Sequence, residues 1–240
     1  MSNFAIYSSP PEKDDSKVRR DLRSFAERFG LRIAEAHRSG GDQGIVALRV
    51  SDAPKQRGYI PYSTRAMNWH TDGYYNAPEN RISAFVLHCV SQAAQGGTND
   101  ILDPEILYIR LRDEHPAYLQ ALMHPQAMTI PENTEPDGSV RPASVGPVFY
   151  PDPGTGQMQM RYTARTRSIE WRDDPATLEA EAFLRDYLAT GDPLAVRIRL
   201  EAGQGVLNNN VLHNRTAFEN DDDTGRLIFR VRFHNRVGEV

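Results

Sequence analysis

The sequence predicts a mainly β fold with peripheral helices, a jelly roll or barrel, and three observations support it. Many short apolar segments are separated by turn residues. Only a few stretches repeat with a helical period. Strand and helix patterns do not alternate in the regular way that a parallel βαβ sheet requires. At 240 residues the chain suits one large domain, taken as residues 1–240 with a β core over about 44–236.

The helices come first in the justification. Val18, Leu22, Phe25, Ala26 and Phe29 recur at helical spacing before Gly30, so an amphipathic helix is expected over 16–29 with Ser16 as N-cap. Asp103-Pro104 pairs an N-cap with proline at the first helical position, which starts a helix over 104–114 with Ile106, Leu107, Ile109 and Leu111 as its apolar face. A second short helix is expected over 116–123. A third starts at Asp174-Pro175 and runs through Leu178, Ala182, Phe183 and Leu188 to Gly191.

The strand candidates are 44–50, 82–90, 127–130, 147–150, 157–163, 194–200, 205–212 and 227–233. The segment 82–90 is apolar on both faces, as a fully covered strand is. Pro153-Gly154-Thr155-Gly156 is a turn that makes a hairpin of its neighbours.

Composition narrows the function class. A formal net charge of −4, 39% hydrophobic and 25% charged residues describe an ordinary globular protein without the positive excess that signals nucleic acid. Of the basic residues 25 are Arg and 3 are Lys (Lys13, Lys17, Lys55), a skew that a GC-rich genome explains as well as anion recognition does. The single cysteine, Cys89, rules out an internal disulfide and a cysteine-built zinc cage. The first 17 residues are polar with Pro10-Pro11, and no apolar run approaches the ~20 residues that span a bilayer, so a cytoplasmic location is expected. A homo-oligomeric state is left open.

The chemistry concentrates in Asn68-Trp69-His70-Thr71-Asp72-Gly73. Side chains two residues apart on a strand point to one face, so the His70 imidazole and the Asp72 carboxylate are placed to converge on one metal ion. One more histidine would complete a two-His, one-carboxylate facial site that leaves the opposite face of an octahedral Fe(II) open. Among the seven histidines only His70 stands in a His-X-Asp or His-X-Glu step. His213, at the end of a strand candidate, is the third ligand candidate and His234 its competitor. His88 reads as a core residue within its strand, His115 and His124 each precede a proline at helix edges, and His37 lies in a polar loop.

Such an iron site usually takes an organic electron donor, commonly 2-oxoglutarate, whose far carboxylate is suited to a buried arginine. In 226–233 Leu227, Phe229, Val231 and Phe233 form one apolar face, while Arg226, Arg230 and Arg232 share the other with Ile228. An edge strand with solvated arginines fits this pattern equally well.

Four segments, in order, carry a family resemblance: Trp69-His70-Thr71-Asp72-Gly73; Gly96-Gly97-Thr98-Asn99; Asn209-Asn210-Val211-Leu212-His213-Asn214-Arg215-Thr216-Ala217-Phe218; and Arg226-Leu227-Ile228-Phe229-Arg230. Over about 58–236 the chain resembles the taurine dioxygenase (TauD/TfdA)-like Fe(II)/2-oxoglutarate dioxygenases; its amino-terminal part is shorter than in many members. The resemblance implies a double-stranded β-helix, iron held by His70, Asp72 and His213, and 2-oxoglutarate held by Arg226, thirteen residues after His213. It implies Fe(II), 2-oxoglutarate and O2 as the reacting set, and oxidation, by default hydroxylation, of a small-molecule C–H bond with release of succinate and CO2.

The family pattern Gly-Gly-X-Thr is departed from here. Asn99 occupies the threonine position and Thr98 stands one residue early, so either is a candidate contact to 2-oxoglutarate. Arg230 matches a position that binds an anionic substrate group in the family, and Arg215 and Arg161 are further candidates for an anionic substrate. Arg161 and Arg165 are equally read as surface charges or barrel braces, and Trp69 as a structural neighbour of the metal. Two other classes share the pattern: a metal-dependent hydrolase on the same ligands, which would give Arg226 no role, and a non-catalytic jelly-roll binding protein.

Overall fold

The computed structural model describes residues 3–34, 44–53, 56–135, 138–152, 154–221 and 225–238. Nine strands and four helices position the site. They are β1 (Phe4–Ser8), β2 (Ile45–Leu48), β3 (Met67–His70), β4 (Ala84–Ser91), β5 (Asn99–Leu102), β6 (Val196–Ile198), β7 (Gln204–Asn208), β8 (Leu212–Arg215) and β9 (Leu227–Phe233), with α1 (Asp15–Arg28), α2 (Pro104–Glu114), α3 (Pro116–Leu122) and α4 (Pro175–Thr190).

Two antiparallel sheets face each other, one ordered β1-β7-β4-β9-β2 and the other β6-β5-β8-β3. Between them pack Val46, Phe85, Leu87, Ile101, Val206 and Ile228. The outer face of the first sheet is covered by α1, whose Val18, Leu22 and Ala26 meet Phe229, Val231 and Phe233. The outer side of the second sheet is covered by α2 to α4, where Leu107, Leu122 and Leu184 join Leu102, Leu212 and Phe149. This is the jelly-roll arrangement expected, with both faces of β4 buried.

Most elements fall where the sequence places them, and the departures have physical causes. The N-cap of α1 is Asp14 rather than Ser16, because the Asp14 carboxylate accepts from the backbone N–H of Ser16 and Lys17. In α2 the buried pair is Leu107 and Leu111, and Ile109 is exposed; in α4 the buried stripe is Thr177, Ala180, Leu184 and Leu188, which leaves Leu178 outside. The single strand expected over 205–212 is two, because Asn210 takes a left-handed φ of 54° and breaks the extended run. Met158–Met160 pairs with Phe149–Pro151 as the expected hairpin; Pro153 in its turn lies outside the described residues, as does His37. The arginine-bearing strand is no edge: β9 lies between β4 and β2.

Candidate active site

The site lies between the sheets where β3 and β8 meet. The two strands pair with His70 directly opposite His213, which brings the ring centroids to 4.2 Å. Each ring Nδ1 is committed to a carbonyl two residues earlier in its own chain, His70 to Asn68 O at 2.8 Å and His213 to Val211 O at 3.0 Å. A carbonyl can only accept, so each Nδ1 carries the proton and each Nε2 keeps its lone pair. Burial favours the neutral rings, lowering the His70 pKa and pushing that of His213, with His70 beside it, down to about 3. Two neutral imidazoles with free Nε2 atoms form two of the three donors of such a site.

Asp72 is placed differently from the expectation. β3 ends at His70, and Asp72 lies in the following turn. There Asn210 clamps it: the side-chain Oδ1 accepts from Asp72 N at 2.7 Å, and Nδ2 donates to Asp72 O at 3.0 Å and Ile82 O at 2.7 Å. The left-handed Asn210 thereby ties the Asp72 turn to the approach to β8. Thr71 reinforces the position, its N–H donating to Tyr162 O while its hydroxyl accepts from Tyr162 N.

The Asp72 carboxylate meets arginine on both oxygens. Arg232 donates from Nε to Oδ2 at 2.7 Å and from Nη2 to Oδ1 at 2.5 Å, and Arg230 Nη1 lies 3.4 Å from Oδ1. Tyr75 Oη lies 3.2 Å from both terminal nitrogens of Arg232. Burial would raise the Asp72 carboxyl, but Arg230 and Arg232 hold it well below the usual carboxylate range. Among the described residues no three His, Cys, Asp or Glu side chains close around one point. The two imidazoles come together, while the carboxylate stands at their side and faces arginines. A carboxylate offers about four acceptor positions; Oδ1 accepts from Arg232 and Arg230 and Oδ2 from Arg232 alone, so a position remains on Oδ2 for a cation.

Arg226 forms the other end. It is 6% exposed, stacks over Phe218 at 5.2 Å, and makes no ion pair among the described residues; burial pushes it down to about 10. Its cavity is also lined by Cys89, Gly97, Asn99 and Leu200, and a second narrow cavity lined by Asn99, Leu200 and His213 continues toward the imidazoles. The Gly-Gly pair makes this possible. A Cβ at Gly96 would lie 2.1 Å from the Ala217 carbonyl oxygen, and one at Gly97 would lie 3.4 Å from Arg226 Nε. Of the two candidates beside them, Asn99 faces both cavities and Thr98 lines neither; the Asn99 amide donates to Asn214 O at 2.6 Å.

The remaining sequence candidates separate. Arg230 is buried beside Asp72. Arg215 donates through Nη2 to the carbonyls of Ile60, Ser63 and Arg65, and so pins the segment before β3 instead of lining a cavity. Arg161 directs Nε to Tyr74 O, Nη1 to Met128 O and Gly146 O, and Nη2 to the carbonyl and hydroxyl of Ser144. This is the bracing alternative. His88 is a core residue bonded to the Tyr7 hydroxyl, and His234 is exposed beyond β9. Trp69 packs among the outer apolar residues. Arg232, Tyr75 and Asn210 were not among the candidates. Parity along β9 puts Arg232 on the arginine face, and the Asn208-Asn209-Asn210 run offers a residue that tolerates a left-handed φ, but neither pattern identifies the partner it takes.

A cleft of about 190 Å³ opens against Asp72, lined by Tyr74, Arg81, Ile82, Val145, Tyr150 and Met160 among others. It supplies space for a small organic molecule beside the carboxylate.

Comparison with known proteins places the chain in a family. The chain is 30% identical over 243 residues to a uridine-5'-phosphate dioxygenase from Streptomyces sp., covering 95% of this chain and 84% of that protein. An asparagine oxygenase solved with Fe(II), 3-hydroxyasparagine and succinate superposes with a TM-score of 0.68 at 16% identity, over 96% of this chain and 74% of that one. The non-heme iron oxygenase OrfP solved with Fe gives 0.69 at 15% identity, over 97% and 75%, and confirms the fold as that of the TauD-like double-stranded β-helix oxygenases. The profile of the family described as taurine catabolism dioxygenase TauD, TfdA matches residues 16–232, and the chain belongs to that family.

Proposed function

We propose that His70, His213 and Asp72 hold the Fe(II), and Arg226 the far carboxylate of 2-oxoglutarate, in a dioxygenase that oxidises a small anionic molecule. Enzymes of this family use Fe(II), 2-oxoglutarate and O2 and release succinate and CO2. The paired imidazoles carry the reading, since both Nδ1 atoms are committed to carbonyls, which leaves both Nε2 lone pairs for a metal, and the ring centroids lie 4.2 Å apart. The buried Arg226, with no acid partner among the described residues, supports the co-substrate end: an unpaired buried cation is costly, and a dicarboxylate relieves it. Asn99 is favoured over Thr98 as the neighbouring polar contact because it alone faces the connecting cavities.

When bound, the metal supplies Lewis acidity and redox chemistry. The chain supplies the rest. His70 and His213 fix two donors by strand register, Asn210 and Thr71 fix the turn that carries Asp72, and Arg232 with Tyr75 orients its carboxylate. Phe85 packs against His213 with ring centroids 4.9 Å apart and, with Leu87 and Ile101, keeps the neighbourhood apolar.

The anionic substrate is supported by the uridine-5'-phosphate named for the relative, a phosphate-bearing small molecule. A single domain is supported by the topology, in which residues 4–8 and 227–233 belong to one sheet. The lone buried Cys89 supports a reducing compartment such as the cytoplasm; no helix among the described residues is long and apolar enough to cross a membrane.

Anaerobic addition of Fe(II) and 2-oxoglutarate tests the assignment. A visible charge-transfer band is expected from the wild type and is expected to vanish in His213→Ala. A wild-type protein without that band, or a His213→Ala protein that keeps it, overturns the ligand set.

A further inference from the structure

Arg81 shares the neighbourhood of the proposed site with four arginines that are already engaged or lie elsewhere. Arg230 and Arg232 face Asp72, Arg226 lies in its separate cavity, and Arg161 is fully occupied. A guanidinium has five N–H groups, and the acceptors Tyr74 O, Met128 O, Gly146 O, Ser144 O and Ser144 Oγ match that number at Arg161. Arg161 therefore lines the cleft without a donor to offer.

Arg81, the other arginine of that cleft, is built differently. Its Nε donates to Pro78 O at 2.9 Å, and its guanidinium carbon lies 5.2 Å from the centre of the Tyr150 ring. These two contacts fix the plane of the group. Its nearest carboxylate is Asp152, 3.9 Å from Nη1 and beyond hydrogen-bond reach. That carboxylate is already occupied: Oδ1 accepts from Gly154 N, Thr155 N and the Thr155 hydroxyl, and Oδ2 from Gln159 Nε2. The four Nη hydrogens of Arg81 thus have no hydrogen-bond acceptor among the described residues. The side chain is 30% exposed, on the wall of the cleft that also contains Asp72.

We propose that Arg81 is the specificity-determining residue of the cleft. It receives the phosphate or carboxylate of a small substrate whose apolar or aromatic body lies along Tyr74, Ile82, Val145, Tyr150 and Met160. A planar guanidinium with both terminal nitrogens available matches a two-oxygen acceptor, and its fixed plane lowers the ordering cost of binding. The inference rests on the dioxygenase reading for the reaction and adds the substrate class and the group that recognises it.

The test uses protein loaded with Mn(II) and 2-oxoglutarate and titrates phenyl phosphate, benzoate and neutral benzyl alcohol by calorimetry. The wild type is expected to bind at least one anion more tightly than benzyl alcohol. Arg81→Leu is expected to weaken that binding by about 10- to 100-fold, the range for a hydrogen bond to a charged group, and to leave benzyl alcohol unaffected. Arg81→Lys is expected to recover part of the loss, which a merely structural role would not produce. Preference for phenyl phosphate assigns a phosphate, and preference for benzoate a carboxylate. Equal binding of anion and alcohol by the wild type, or unchanged anion affinity in Arg81→Leu, overturns the proposal. Uptake of 2-oxoglutarate is read separately in the wild type by the Fe(II) charge-transfer band. Anion binding through Arg81 without that band would sink the dioxygenase reading and leave the anion site standing.

Discussion

Arg226, one residue before β9, and Arg232, within it, stand six residues apart and both are buried, yet their surroundings are opposite. Arg232 grips both oxygens of Asp72, shares that carboxylate with Arg230, and rests on Tyr75. Arg226 has an aromatic ring, two glycines and a thiol around it, and no acid among the described residues. Burying a guanidinium without a counterion carries a desolvation penalty that packing alone does not remove. The first arrangement is complete within the chain and keeps a carboxylate ionised and oriented. The second has no counter-anion among the described residues. That contrast separates a residue engaged within the chain from one open to the anion proposed above.

The comparison breaks most visibly at Arg232. Its replacement by leucine leaves the buried Asp72 carboxylate to Arg230 alone, and the expected loss of folding stability is about 3–5 kcal/mol, read as a fall in denaturation midpoint. The double variant Arg232→Leu, Asp72→Asn should regain part of that loss. A single variant as stable as the wild type would remove the organising role.

Arg226→Leu should do the reverse. No acid is stranded, so the midpoint should stay within about 1 kcal/mol of wild type. The 2-oxoglutarate dissociation constant, followed by the Fe(II) charge-transfer band, should rise about 100-fold, close to 3 kcal/mol. Equal damage to stability and binding would erase the contrast.

The glycines sharpen it further. Gly96→Ala places a methyl 2.1 Å from a backbone oxygen at a φ of 69°, and it should destabilise the fold by about 2 kcal/mol or more. Gly97→Ala shares that φ but meets only side chains at 3.4 Å or more, chiefly the flexible Arg226, so about 1 kcal/mol of stability should go while 2-oxoglutarate binding weakens several-fold. The prediction fails if the two substitutions behave alike in both assays.

The smallest effect is a control outside the site. Burial lowers the His88 pKa below its usual 6.5. The unfolded chain therefore takes up this proton first, and stability from His88 is present above about pH 6.5 and declines as pH falls below it. His88→Gln should flatten the fall in melting temperature between about pH 6.5 and 5 by a small amount; an unaltered slope would show that His88 contributes nothing to it.

How much of this was legible depends on whether the determinant is local. The α2 boundary was readable because Asp103-Pro104 encodes a cap and a fixed φ within two residues. The arginine face of β9 followed from parity, and His70 with His213 from motif order. The break at Asn210, the Asp14 cap and the edge strand β1 were not readable, the last because its half-exposed pattern presents no apolar run. Strand periodicity suggested that Asp72 continues the face of His70, whereas the strand ends at His70 and a contact 138 residues away fixes the carboxylate's backbone. The fork from Arg232, the exhaustion of Arg161 and the open donors of Arg81 all depend on partners distant in sequence, so arginine content alone could not rank them.

The position of β9 bears on how the protein is assembled. This strand follows every strand it joins, yet it lies in the interior of its sheet between β4 and β2, while β1 waits for β7 across nearly the whole chain. Such pairings raise contact order, and their loop-closure entropy comes before their reward. Until β9 inserts, β2 and β4 have unpaired edges and the site lacks Arg226, Arg230 and Arg232 together. The histidine pair of β3 and β8 can therefore form before the arginines of this last segment join it, so the charges around Asp72 come together late in folding.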